Sequence, residues 1–218
     1  METIVKSKAS WTIAVLLLLP VLIIAIISKV EYTEIDWTTY MQQVQLVLKG
    51  ERNYTNIKGD TGLLVYPAGH VLVFSLLHRL TSAGTDIRVA QYLFGALEWI
   101  TVAIVLLIYS KSKIPGYWSI SLILSKRIHS IYSLRLFNDP VAMLLMYICI
   151  YFIIANRWEL GSIFFRYVLL ICSLALSVKM NILLFAPGMA IVFYQSIGIA
   201  RSFFNALLVI AVQVINPY

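Results

Sequence analysis

The sequence predicts an all-α polytopic membrane protein, and three observations carry that reading. Of 218 residues, 61% are hydrophobic and only 12% charged. Soluble domains carry about 25% charged residues, so this chain cannot build a water-facing surface. The apolar residues come in runs close to the roughly 20 that span a bilayer. The breaks between runs are short and hold basic and turn-forming residues: Lys111-Ser112-Lys113-Ile114-Pro115-Gly116, Asn138-Asp139-Pro140, Asn156-Arg157-Trp158, and Gly198 to Arg201.

The first run, Trp11–Ser28, follows Lys6 and Lys8. It exceeds the roughly 7–15 residues of a signal-peptide core, and Lys29-Val30-Glu31 stands where a small-residue cleavage site belongs, so it reads as an uncleaved span. Further spans are expected at Val89–Tyr109, Tyr117–Phe137, Val141–Ala155, Ile163–Val178, Ile182–Ile197 and Phe203–Ile215. The run Val65–Leu80 is different: it is short and holds Pro67, His70, His78 and Arg79, which suits an interfacial or re-entrant segment. With that run left out of the count, the segments of Lys111 and Lys113, of Arg157 and of Arg201 all fall on the side of Lys6 and Lys8, as the positive-inside rule asks. The N-terminus is then cytoplasmic. Residues of about 29–87 form one long loop on the far side, carrying membrane-lying amphipathic helices. Asn53-Tyr54-Thr55 in this loop is a glycosylation sequon, usable only on the lumenal or extracellular side.

The net charge of +7 is spread over clusters between the apolar runs, so it reads as topology rather than as a nucleic-acid surface. Cys149 and Cys172 both lie inside apolar runs, where neither a disulfide framework nor a metal-ligand spacing is expected.

On this topology several polar groups collect at the far face. Glu34 and Asp36 sit at the mouth of the first helix. They are either solvated acids marking a helix end, or a general base for an attacking hydroxyl with a second acid to hold the acceptor. Arg135 to Asp139 and Lys179 to Asn181 end on the same face. Lys126, Arg127 and His129 fall inside the third run, where an ionisable group is either functional or marks a helix that starts late. Lys179 is either a snorkelling anchor or a cation for an anionic ligand. A carboxylate on one side and cations on the other suit sugar transfer from a lipid phosphate, with the cations stabilising the departing phosphate.

Seven strings then matter together: Tyr32-Thr33-Glu34-Ile35-Asp36-Trp37, Tyr40-Met41-Gln42, Gly59-Asp60-Thr61-Gly62, Val65-Tyr66-Pro67-Ala68-Gly69, Gly84-Thr85-Asp86-Ile87-Arg88, Arg135-Leu136-Phe137-Asn138-Asp139-Pro140, and Val178-Lys179-Met180-Asn181 with Leu184-Phe185-Ala186-Pro187-Gly188. In this order the chain resembles the dolichyl-phosphate-mannose-dependent alpha-1,3-mannosyltransferases of lipid-linked oligosaccharide assembly, the Not56-like family. The resemblance implies a GT-C type fold in the endoplasmic reticulum membrane, with a lumenal active site and no metal or other cofactor. The implied donor is dolichyl-phosphate-mannose and the implied acceptor the five-mannose dolichyl-diphosphate oligosaccharide, with inversion in one displacement. It makes Asp36 the base, with Glu34 beside it. Arg88, His129, Arg135 and Lys179 would face the donor phosphate or shape its site, and Asn138 and Asp139 would line the same cavity. Members of the family continue beyond Asn216-Pro217-Tyr218, so a C-terminally truncated form is expected. An inactive isoform, a flippase using the same charges, and a sibling transferase for another hexose remain open at this point.

Overall fold

A computed structural model of the chain describes residues 2–155 and 163–215. The break drawn at Asn156-Arg157-Trp158 and the final Asn216-Pro217-Tyr218 lie outside the described residues. The elements in order are α1 (Glu2–Lys29), α2 (Trp37–Leu48), a hairpin of β1 (Lys58–Gly59) and β2 (Gly62–Leu63), α3 (Ala68–Leu80) and α4 (Ile87–Lys111). A 3₁₀ turn (Gly116–Ser119), α5 (Ile120–Leu124), α6 (Lys126–His129) and a π-helical turn (Ser130–Leu134) follow. Then come α7 (Asp139–Ile154), α8 (Ile163–Val178), a 3₁₀ segment (Met180–Phe185), α9 (Ala186–Ile197) and α10 (Ile199–Ile215).

Helix α1 shows why an apolar run becomes a packed helix. Val15, Leu19, Ile23 and Ile27 recur every fourth residue, form one stripe, and bury against Val102 and Leu106 of α4. The opposite face, with Leu17, Leu18, Val21 and Ile24, is equally apolar but exposed. A helix hydrophobic all round belongs in lipid or a core. The two helices run antiparallel: Arg88 donates to the Ile27 carbonyl at one end, and Trp99 Nε1 to the Leu16 carbonyl at 2.9 Å further down. Between these ties Gly95 admits Ile23, because a Cβ there would stand 2.6 Å from Ile23 Cγ2.

Among the described residues three helices are long and apolar enough to cross a membrane, Ser10–Lys29, Ile87–Lys111 and Met180–Ile197, or four if a bent pair counts as one. That is fewer than the seven runs drawn from the sequence. Helices α7, α8 and α10 have 16, 16 and 17 residues. Helix α3 has 13 residues, about 20 Å at 1.5 Å per residue, too short to span.

Two features differ from what the sequence predicts. The run Tyr117–Phe137 is not one helix but a series of short segments, and Lys126–Leu134 meets α7 at 117°. The helix breaks at Ser125, whose backbone turns to φ −79° and ψ 96° and whose hydroxyl accepts from the Ile128 amide. Serine offers the backbone a competing partner and so favours caps over helix interiors. Cys149 and Cys172, for which no disulfide was expected, are joined in one, with Cα atoms 6.0 Å apart. Both lie buried where α7 faces α8, a juxtaposition that residue spacing does not reveal.

The loop between α1 and α4 folds on a core of Trp37, Tyr40, Met41, Phe74, Phe94 and Leu136. Trp37 Nε1 donates to the Gly84 carbonyl at 2.9 Å. Leu136 is fully buried yet holds φ +51°, a region that a bulky residue occupies only when its surroundings impose it. Its burial and the Thr33 amide on the Leu134 carbonyl at 3.0 Å hold the Arg135–Asn138 bend in place.

Candidate functional site

The site is assembled where the ends of α1, α7 and α8 meet α2 and α3. Glu34 and Asp36, paired in the sequence reading, have separate environments. Glu34 Oε2 accepts from Tyr32 Oη at 2.6 Å, and Oε1 accepts from the Thr38 amide at 3.0 Å. Glu34 therefore satisfies an orphan donor in the first turn of α2. Partial burial of Tyr32 and then the Glu34 carboxylate raise the Tyr32 phenol well above its usual range. Asp36 takes the N-cap position of α2 without making a side-chain cap. Its oxygens receive only long contacts, 3.4 Å from Tyr40 Oη and 3.4 Å from Thr61 Oγ1. Of the two acids, Asp36 has free lone pairs for a proton.

Lys179 ends α8 in extended backbone at φ −152° and ψ 127°, so its side chain leaves the helix line. Nζ donates to Asn138 Oδ1 at 2.9 Å and to Asp139 Oδ2 at 2.6 Å. Asp139 opens α7 with Pro140 in the first turn, where the helix dipole favours a carboxylate. Its second oxygen accepts from Asn181 Nδ2 at 3.0 Å. Three of the predicted residues, Asn138, Asp139 and Lys179, are thus brought into one cluster.

The link to Asp36 runs through aromatic groups. Lys179 Nζ lies 5.9 Å from the centre of the Tyr66 ring, within cation–π range. Tyr66 Oη is 3.4 Å from Tyr40 Oη, and Tyr40 reaches Asp36. His70 is wedged between Tyr66 and Phe74, with ring centres at 4.5 and 4.3 Å, and Tyr40 stands edge-on at 4.9 Å. Since Asn138 Oδ1 is taken by Lys179, its amide nitrogen donates to His70 Nδ1 at 3.3 Å. Nε2 then carries the imidazole proton, and it is buried without a partner. Gly69 makes the wedge possible, because a Cβ there would collide with the Ser177 backbone of α8. Burial above all, then the bond to Tyr66 and the fields of Tyr66, Asp36 and Asp139, push the Tyr40 phenol far up. Tyr40 stays neutral between the acid and the lysine.

Burial, reinforced by the Lys179 charge, lowers His70 to about 3 from 6.5. Below pH 6.5 the unfolded chain takes up a proton that folded His70 refuses until about pH 3. Stability present above pH 6.5 is therefore lost as pH falls, by about 1.4 kcal/mol per unit through that window. His70→Asn is expected to flatten this slope when unfolding midpoints are compared at pH 7 and pH 5 in detergent. Equal slopes for both proteins would show that His70 is not the buried neutral group.

The remaining expected residues lie elsewhere. Arg88 is spent on the Ile27 carbonyl and also contacts Gln91 Oε1, a C-terminal tie for α1 rather than a phosphate ligand. His129 does not face this cluster, because both its ring nitrogens are bound, to Glu98 and to the Ile123 carbonyl. Arg135 is exposed on the bend next to Asn138, without a hydrogen-bonding partner among the described residues. Lys126 and Arg127 are exposed at the break. Asn53 is exposed, and its Oδ1 accepts from the Thr55 amide at 3.1 Å and the Thr55 hydroxyl at 2.8 Å. Among the described residues no three His, Cys, Asp or Glu side chains gather as a metal site.

Sequence reasoning missed Tyr40, Tyr66, His70 and Glu98. The first two stand inside the quoted strings without a role. Glu98, the one acid in α4, answers to the same rule that singled out Lys126 and Arg127, that an ionisable group in an apolar span needs a reason.

Helices long and apolar enough to cross a membrane, with a polar cluster at their ends, define an α-helical membrane protein. The chain belongs to the ALG3 protein family, whose model matches residues 13–218. It is 49% identical over 181 residues to the Drosophila melanogaster protein named dolichyl-P-Man:Man5GlcNAc2-PP-dolichol alpha-1,3-mannosyltransferase l(2)not2, covering 82% of this chain and 36% of that protein. A Homo sapiens Dol-P-Man:Man(5)GlcNAc(2)-PP-Dol alpha-1,3-mannosyltransferase is 48% identical over 79% of this chain and 38% of its own length. A Dictyostelium discoideum protein, named as a probable enzyme of the same kind, is 43% identical over 95% of this chain and 52% of its own length. The chain spans about a third to a half of the length of these curated relatives. No solved structure matches it significantly.

Proposed function

We propose that this chain is the catalytic part of an inverting alpha-1,3-mannosyltransferase of the endoplasmic reticulum membrane. Its donor is dolichyl-phosphate-mannose and its acceptor the five-mannose dolichyl-diphosphate oligosaccharide. The fold is a GT-C type module with about seven spans, a cytoplasmic N-terminus and a lumenal loop over residues 29–87 that carries α2 and α3 along the membrane. The relatives' printed names support the substrates, and the exposed apolar residues Leu72, Leu76 and Leu80 along α3 support a helix lying on lipid. Asn53 faces the lumen and accepts a glycan. The reaction needs no cofactor.

One observation carries the mechanism: Asp36 and Lys179 flank the same pair of tyrosines, Tyr40 against the acid and Tyr66 against the cation. The acceptor hydroxyl gives its proton to Asp36 as its oxygen attacks mannose C1. The C1–O bond to phosphate breaks on the opposite face, and dolichyl phosphate leaves with the electron pair. Lys179, held in place by Asn138 and Asp139, with Arg135 closing over the phosphate, stabilises the charge that grows on it.

Lipid-linked oligosaccharide profiles of cells lacking the enzyme test this. The five-mannose species accumulates, and expression of this chain is expected to convert it to the six-mannose species. Unchanged accumulation despite stable expression would mean that the chain does not turn over by itself.

A further inference from the structure

The strongest unexplained feature lies about 30 residues from the site in sequence and halfway down α4. Glu98 is completely buried. The ties Arg88–Ile27 and Trp99–Leu16 place it level with the middle of α1, halfway along two helices that are long and apolar enough to cross a membrane. His129 Nδ1 lies 2.6 Å from Glu98 Oε1, and Nε2 lies 2.9 Å from the Ile123 carbonyl. A carbonyl only accepts, so Nε2 carries a hydrogen. One further proton then lies between Nδ1 and Oε1, whichever atom holds it. The pair is neutral as a unit, the form that the middle of a membrane span tolerates.

The Ile123 carbonyl is one that the break at Ser125 strips of its helical partner. In lipid no water replaces that partner, so a broken helix survives only where a side chain does. His129 supplies the bond and, through Glu98, ties the broken segment to α4. A second tie follows a turn later, Gln91 Nε2 on the Ser133 carbonyl at 2.8 Å. Two residues beyond that is Arg135, and five beyond is Asn138. The other Glu98 oxygen is buried without a partner. Glu98 lines a cavity of about 390 Å³ with Thr101, Tyr132 and Asp139.

We propose that Glu98 and His129 form a hydrogen-bonded clasp that positions the Arg135–Asn138 bend at the donor-phosphate site. It rests on the functional reading above, acts through Asn138 and Arg135 and touches no substrate. The clasp needs a hydrogen bond, not an acid. Glu98→Gln preserves it, the amide nitrogen donating to His129 Nδ1 while Nε2–H stays on Ile123. Glu98→Leu leaves Nδ1 buried and unpaired.

The experiment measures transfer by the full chain in membranes, with donor and acceptor varied separately. Glu98→Leu is expected to raise the donor KM about tenfold, the scale of one unmet buried hydrogen bond, and to leave the acceptor KM unchanged. A simple folding defect would instead lower apparent kcat and leave both KM values alone. Glu98→Gln is expected to stay within about threefold of the parent, the difference between two satisfied hydrogen bonds. A second readout does not depend on turnover: the rate at which Arg135→Cys reacts with a soluble maleimide, expected to change in the Glu98→Leu background and not in Glu98→Gln. A parent chain that transfers nothing does not turn over by itself, and the maleimide rates then decide the clasp alone. An inactive Glu98→Gln, or unchanged donor KM and maleimide rate in Glu98→Leu, overturns the clasp.

Discussion

Asp36→Asn lowers mannosyl transfer by about a hundred- to ten-thousandfold, the range that a general base contributes, and leaves donor binding as it was. Asparagine has nearly the same shape and can keep the contacts to Tyr40 and Thr61, but it cannot take the acceptor proton. The neighbouring acid does not substitute for it, because both oxygens of Glu34 are held by Tyr32 and the Thr38 amide. Extension of the five-mannose acceptor under single-turnover conditions measures the effect. Transfer within tenfold of the parent would remove Asp36 from the chemistry.

Lys179→Met has the second largest effect, a loss of about a hundredfold or more, as expected when a cation facing a departing anion is removed. Methionine keeps part of the apolar stem against Tyr66 and discards the charge. The loss has two parts, since the substitution also frees Asp139, whose Oδ2 now lies 2.6 Å from Nζ and would then repel the phosphate. The double variant Lys179→Met, Asp139→Asn therefore recovers part of the loss, and the coupling appears in a double-mutant cycle. Donor KM and kcat measured across the four proteins check this. Strict additivity would place the lysine and the aspartate in unrelated roles.

Much of this arrangement was legible in the sequence because its cause is local. The apolar run of α1, the short polar breaks, and the acid at the exit of the first helix follow from residue type and spacing, whereas the face of α1 that is buried does not. Asn138, Asp139 and Lys179 end helices that the hydropathy pattern already delimits. Other parts depend on what faces what across the fold. The Tyr117–Phe137 run is apolar enough to read as a span, and its break depends on whether Ser125 finds a better partner in the turn than in the helix. The family motif implies that His129 faces the donor phosphate or shapes its site, and does not reveal its partner, Glu98, 31 residues away on α4. The disulfide between Cys149 and Cys172, 23 residues apart, is invisible for the same reason. His70 stood in view as a histidine in a short amphipathic run, but its neutral state comes from the aromatic rings that close around it.

One transfer reaction can use the first-loop acid and the later cations only if both occupy one chamber on one side of the membrane. Single cysteines at Ile35→Cys and Arg135→Cys, both at exposed positions, can be labelled in sealed microsomes with a membrane-impermeant maleimide. Both are expected to stay unlabelled until the membrane is permeabilised and then to react together. Labelling of one in sealed vesicles while the other remains protected would put the acid and the phosphate ligands on opposite faces, and no single transfer reaction could use both.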